Sequence, residues 1–302
     1  VRFFLSAAAP QAFPLVRVSM GGVNVVEAVR LYLLKMVGDA RDSSPLRVLL
    51  MDSDTIGIVT MAVSKSEMLQ RNVFLFERLA EEAQRPVALD RLGRPRTLAM
   101  KHLTCLTLVR PTAKSVADLC AELRSPRYGS YYLSFTNRLE DKDLKLLARA
   151  DEHEVVRQVQ EVFADYVPVM PWLFSLNLAQ CYKAPETGTY QWDTPALDRT
   201  AQGLHALLQA LGKPDVPHVR YQGNSPMCRD LASALRKRMQ QVGPPSHENS
   251  VVSCGNTGLL ILDRRNDPVT PLLNQWTYQA MVHEILGIHS NTVALPNAKG
   301  EW

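Results

Sequence analysis

Apolar positions along this chain fall into two periodicities that alternate. Over residues 23–37, Val25, Val26, Val29, Leu33, Leu34 and Val37 recur at helical spacing, and Gly38 closes the segment. Residues 46–51 (LRVLLM) then form a short apolar run between Ser44-Pro45 and Asp52-Ser53, the pattern of a parallel strand covered on both faces. Further apolar runs at 73–76, 103–109 and 131–135 alternate with helical patterns at 64–71, 112–123 and 141–150. Strand and helix in alternation predict an α/β fold, a parallel sheet with helices on both faces.

The same alternation continues downstream. Asp151-Glu152-His153-Glu154 resembles an acid–base cluster in isolation. Its place ahead of Val155, Val156, Val159 and Val162 reads instead as a helix start, where acids favour the positive end of the dipole, and predicts a helix over 152–163. A strand near 166–169 leads into a second domain with helix 195–211, strand 218–221, helix 226–242 and strand 258–263. The segments 81–95, 183–195 and 243–255 are polar, broken by proline or glycine, and read as loops. The expected architecture is two successive parallel-sheet α/β domains followed by the start of a third, mainly helical domain.

Composition narrows the function. A chain of 302 residues that is 46% hydrophobic and 21% charged can bury one large core or two moderate ones. Its net charge of +4, spread without a block of like charges, gives no argument for nucleic acid. Arg229, Arg236, Lys237 and Arg238 lack interleaved aromatics and read as a solvated helix face. Five cysteines without ligand spacing fit reduced, mostly buried thiols of a cytosolic protein. No apolar stretch reaches the roughly 18 residues that a membrane-spanning helix needs. Residues 1–21 begin with a short apolar run interrupted by Pro10 and Pro14 and are expected to be a disordered leader, with Met20 a plausible start.

Chemical motifs point away from catalysis. No GxGxxG, GxxxxGK[ST] or GxSxG occurs, so phosphate cradle and nucleophile elbow are both missing. The seven histidines show no HExxH spacing, and adjacent His283 and Glu284 would point about 100° apart on a helix. The expectation is no catalytic residue, no cofactor and no metal. Tyr131, Tyr132 and Phe135 belong to a strand and read first as core.

Residues 259–287 (LLILDRRNDPVTPLLNQWTYQAMVHEILG) combine an apolar strand, a tight polar turn and a helix. Asp263 and Arg264, then Asp267, then Thr270 and Pro271, then Trp276 to Met281 resemble the signature of the SM family of SNARE regulators, in particular its vacuolar-protein-sorting branch. Similar residues recur upstream, at Val48 to Asp52, Ser66 to Gln70, Lys101 to Leu103, Arg110 to Thr112, Glu122 to Tyr128, Phe174 to Asn177 and Thr200 to Leu204. The departures fall in the leader, in 81–95 and near 244–255. Read physically, Asp263 and Arg264 end a buried strand, where an arginine fork can hold carboxylates. Asp267 starts a turn and Pro271 starts a helix, a set that reads as a hinge.

The resemblance implies domain one at 22–166, the first segment of domain two at 167–273 and the start of domain three at 274–302, with the remainder of a longer family member beyond. It implies a binding protein that steers SNARE assembly, vesicle docking and membrane fusion, recruited from the cytoplasm to Golgi and endosomal membranes through its partner and monomeric when complete. The partner would be a syntaxin-type SNARE and its complexes, with an N-terminal peptide anchoring on domain one. The implied site comprises Leu119, Cys120, Leu123, Tyr131, Leu139, Leu144 and Leu147, with Leu144 as the pocket leucine. A non-SNARE interaction scaffold in trafficking is the alternative, and an α/β enzyme the competing class.

Overall fold

The structure, a computed structural model, describes residues 24–40, 46–79, 87–89, 95–97, 100–183, 190–211, 218–242, 258–267, 269–288 and 292–295. The expected leader, the loop at 243–255 and most of the segment 81–95 lie outside the described residues.

Helix α1 (Val25–Asp39) leads into β1 (Arg47–Met51), and α2 (Ser53–Ala62) and α3 (Lys65–Leu69) connect it to β2 (Val73–Arg78). An antiparallel pair, β3 (Val87–Leu89) and β4 (Pro95–Thr97), precedes β5 (Met100–Val109). Then α4 (Ala113–Arg124) leads to β6 (Tyr128–Phe135), and α5 (Asp141–Ala150) to β7 (Val156–Glu161). The five strands β2-β1-β5-β6-β7, in that order, form one parallel sheet. Because side chains alternate across a strand, Leu49, Met51, Leu106, Leu108 and Tyr132 face α1 and α2, while Val48, Leu50, Cys105, Leu133 and Phe135 face α4 and α5. Burial on both faces is what makes these strands read as unbroken apolar runs.

The caps show why the helices start where they do. Asn24 accepts a hydrogen bond from the Glu27 amide and opens α1. Asp52 and Thr55 form a reciprocal capping box at α2. The Asp52 carboxylate also accepts from the Arg110 amide at 2.7 Å and the Ser115 hydroxyl at 2.9 Å, so one buried acid ties the end of β1 to the start of α4.

The segment expected as a helix over 152–163 is instead the strand β7, which corrects that expectation. Asp151 starts no helix but is the C-cap of α5, its amide donating to the Leu147 carbonyl; its two carboxylate oxygens accept from the amides of Val155 and Val156, and Glu154 sits at φ 52°, turning the chain out of α5. Val156 and Val159 then pair with Tyr131 and Leu133 of β6. Valines at irregular spacing suit either period, and here β-branching and sheet pairing decide. Helix α2 and the β3–β4 pair were not anticipated by the sequence reading.

Beyond Tyr166, β8 (Val167–Met170) and β9 (Leu173–Ser175) form an antiparallel hairpin, as do β10 (Tyr182–Lys183) and β11 (Gln191–Trp192). Helix α6 (Thr194–Ala210) follows, then the parallel unit β12 (His218–Tyr221), α7 (Pro226–Val242) and β13 (Gly258–Ile261), and finally α8 (Tyr278–Ile285). The second parallel sheet therefore has two strands among the described residues. The strand expected to be buried over 258–263 ends at Ile261, with Leu260 62% and Leu262 66% exposed, because among the described residues β13 is covered on one face and paired on one edge only.

The core around α1 extends past Tyr166. Val167, Phe174 and Leu176 pack against it, and α6 inserts Ala206, Leu207, Ala210 and Leu211. Gly203 lets α6 approach this closely, since a Cβ there would meet the Leu176 side chain, the Arg199 guanidinium and the Asp165 carbonyl. Helix α8 buries none of its residues.

Candidate partner-binding site

Thr112 caps α4 by accepting from the Ser115 amide, and the helix turns Val116, Leu119, Cys120 and Leu123 onto the sheet. Helix α5 carries Asp141 and Asp143 in its first turn and Arg149 in its last, charges that suit its dipole. Its entry is fixed by the Leu139 amide, which donates to the Glu161 carboxylate at 2.9 Å. The two helices lie side by side over one sheet face, and the structure brings all seven residues expected at the partner site into one cluster there.

Within that cluster their exposure differs. Leu119, Cys120, Leu123, Tyr131, Leu139 and Leu147 are buried, whereas Leu144 is half-buried and packs against the cluster from its rim. The neighbouring Leu146, which the sequence reading passed over, is 48% exposed. Its signal was an apolar residue off the inward stripe of an otherwise amphipathic helix.

Tyr131 is committed to the interior. Its hydroxyl donates to Glu122 at 2.6 Å and accepts from the amides of Arg127 and Tyr128. Arg127 donates to Glu122 through Nε and to Glu77 through Nη1 at 2.8 Å, and the Tyr128 hydroxyl donates to Glu77 at 2.7 Å. Burial pushes both tyrosine hydroxyls well above their ordinary pKa, and the nearby Cys105 thiol as well. This node fixes the floor under α4.

The signature turn is built differently from the sequence reading. The carboxylate fork belongs to Arg265, which the reading did not single out: its Nε and Nη2 donate to the two oxygens of Asp263 at 3.0 and 2.6 Å. Arg264 instead makes an exposed pair with Asp267 at 2.6 Å. Asp263 also accepts from the Ser225 hydroxyl at the start of α7, and the Arg265 guanidinium lies over the rings of Tyr182 and Tyr190. Hydrogen bonding to Arg265, against some desolvation, holds the Asp263 carboxyl well below the usual carboxylate range. Asp267 accepts from the Thr270 amide and its pKa is lowered to about 2 by its bonds to Thr270 and Arg264. Thr270 and Pro271 open a single 3₁₀ turn, with α8 starting only at Tyr278.

A third cluster escaped the sequence reading because its members lie far apart in the chain. Asp165, fully buried, accepts from Arg110 Nε at 3.0 Å, Arg199 Nη1 at 3.1 Å and Asn137 Nδ2 at 2.9 Å. Asn137 also donates to the Gln202 carbonyl and accepts from Arg238, which leaves the basic face of α7 to reach inward. This node joins the ends of β5 and β6 to α6 and α7. Arg229, Arg236 and Lys237 stay exposed, as expected of a solvated face.

Of the described cysteines, Cys105, Cys120 and Cys228 are buried and none is in a disulfide. No helix among the described residues is long and apolar enough to cross a membrane.

Comparison with known proteins agrees with this fold. Vacuolar protein sorting-associated protein 45 of Rattus norvegicus is 42% identical over 283 residues, 92% of this chain and 45% of that protein. The Homo sapiens protein of the same name is also 42% identical over 283 residues. The solved structure of the SM protein Vps45 in complex with the Qa SNARE Tlg2 superimposes with a TM-score of 0.77 at 37% identity, covering 91% of this chain and 45% of that one. The chain thus spans less than half the length of the relatives it matches. The profile of the Sec1 family covers residues 47–301, and the chain belongs to that family.

Proposed function

We propose that this chain is the SNARE-binding portion of a regulator of vesicle docking and membrane fusion, and that it acts by binding and not by turnover. The observation that supports this reading most directly is the 42% identity, over 92% of the chain, to vacuolar protein sorting-associated protein 45, a solved member of which carries the Qa SNARE Tlg2. The partner is a syntaxin-type SNARE of Golgi or endosomal membranes, and it brings the protein to those membranes.

The contact lies on the outer face of α4 and α5. There the partner's N-terminal peptide sets an apolar side chain against Leu144, over a floor of Leu119, Cys120, Leu123, Tyr131, Leu139 and Leu147. Two packed helices over a fixed polar node suit a short peptide held by one anchor, because little ordering is needed on the protein side. Asp263, Arg264, Asp267, Thr270 and Pro271 form no part of this contact. With Arg265 they fix the turn between β13 and α8.

A pull-down of this chain with the cytosolic part of a syntaxin-type SNARE, with and without its N-terminal segment, tests the reading. Capture that needs the N-terminal segment supports it. Capture that ignores the segment removes the α4–α5 site, and no capture of any syntaxin-type SNARE leaves the alternative scaffold with another partner.

A further inference from the structure

We propose that a small cleft between α2, the exit of β9 and α6 binds a phosphate-type oxyanion. Asp54, Ile58, Arg110, Tyr166, Asn177 and Arg199 are among the residues that line it, and its volume is about 60 Å³. A water needs about 10–15 Å³, so the space takes a handful of oxygen-sized atoms and no more. The cleft opens beside the carboxyl ends of β1 and β5, the edge of a parallel sheet where α/β proteins receive their ligands.

Charge selects an anion. Arg110 and Arg199 share one fully buried carboxylate, Asp165, and nearby Arg238 makes no ion pair among the described residues. The other acid at the cleft is Asp54, whose side chain is 42% exposed and pairs with Arg110 at 2.9 Å. It can turn into water, leaving Arg110 facing the cleft. Arg199 Nε is buried and has no hydrogen-bond partner among the described residues. Burial lowers the Arg199 pKa, and the charge of Arg110 lowers it further against the pull of Asp165, so a second anion would relieve that strain. Two guanidiniums lining one small cleft suit a tetrahedral oxyanion, which takes parallel N–H bonds on two edges. The size of the cleft rules out a nucleic acid or a membrane surface as its occupant.

Calorimetric titration of the full chain with inorganic phosphate, against sodium chloride at equal ionic strength, tests the site. Saturable heat with phosphate alone is expected. Asp54→Asn removes the competing carboxylate without touching the buried node and should tighten phosphate about tenfold. Glycerol 2-phosphate, run in parallel, distinguishes a free ion from a phosphate carried on a larger molecule: binding of both indicates the ester, binding of inorganic phosphate alone the free ion. No saturable heat overturns the proposal. So does phosphate affinity that Asp54→Asn leaves unchanged, because the ion then sits elsewhere.

Discussion

Asp165 gathers long-range polar contacts from Arg110, Asn137 and Arg199, and its chemistry sets a clear expectation. A buried ion pair is weak support for stability when intact, but breaking one leaves an uncompensated charge and costs about 3–5 kcal/mol. Asp165→Ala, which strands Arg110 and Arg199, should therefore lower stability by about that much in urea unfolding, whereas exposed Asp230→Ala should change it by less than about 0.5 kcal/mol. His205 makes a second residue-scale prediction. It is buried against the Phe163 ring, and burial, helped by Arg238 and Arg138, lowers its pKa to about 4 from 6.5. The folded state then binds fewer protons than the unfolded state between these values, so stability is full above about pH 6.5 and falls as pH drops toward 4. Melting temperature measured across that window should decline for the native chain and decline less for His205→Gln; equal slopes would contradict it. None of this was legible in the sequence. Asp165 and Arg110 are 55 positions apart, and no pattern of residue types announces which arginine a buried acid will meet. Arg264 and Arg265 illustrate the same limit at short range, since adjacent arginines in one turn look equivalent until the fork closes on Asp263.

At the scale of elements, most of the architecture was legible because burial on both faces imposes unbroken apolar runs on β1, β5 and β6, and one-sided burial imposes the helical stripe on α1, α4 and α6. Strand β7 was not legible. It lies at the edge of the sheet, carries Arg157, Gln158, Gln160 and Glu161, and so lacks the apolar run of its neighbours. The junction of β5 and β6 shows how backbone contact constrains an element where side chains do not. The register shifts between Met100 and Thr104, and a Cβ on Gly129 would press on the Lys101 backbone carbonyl. Gly129→Ala should force the strands apart and destabilise the chain by about 1–3 kcal/mol in urea unfolding, as overpacking does. Gly57 has open space at the same position, so Gly57→Ala in the interior of α2 should stabilise by up to about 1 kcal/mol. Equal effects of the two substitutions would contradict the packing described.

At the scale of the whole molecule, the exposed apolar residues are unevenly placed. Leu260, Leu262, Val269, Leu272, Leu273, Trp276, Tyr278 and Ile285 are all more than half exposed and follow one another within one short stretch of chain. Apolar surface on that scale associates, so light scattering should show concentration-dependent assembly of the chain. A fragment ending at Leu211 keeps the β8–β9 hairpin and α6 on the core of α1 and should remain monomeric. One ending at Tyr166 would uncover Val25, Val29 and their neighbours and should melt lower than the fragment ending at Leu211. A chain that stays monomeric at all concentrations would contradict the first of these expectations. The family was legible from the signature of 259–287, and the comparisons bear it out. The partner site rests on that resemblance and on the accessibility of one leucine. Its most direct test is titration calorimetry of a syntaxin N-terminal peptide into the native chain and into Leu144→Arg, with circular dichroism and melting temperature recorded for both. The native chain should bind, and the substitution should weaken binding by at least about thirtyfold, or about 2 kcal/mol, with the fold retained. Unchanged affinity in a folded Leu144→Arg chain would contradict it.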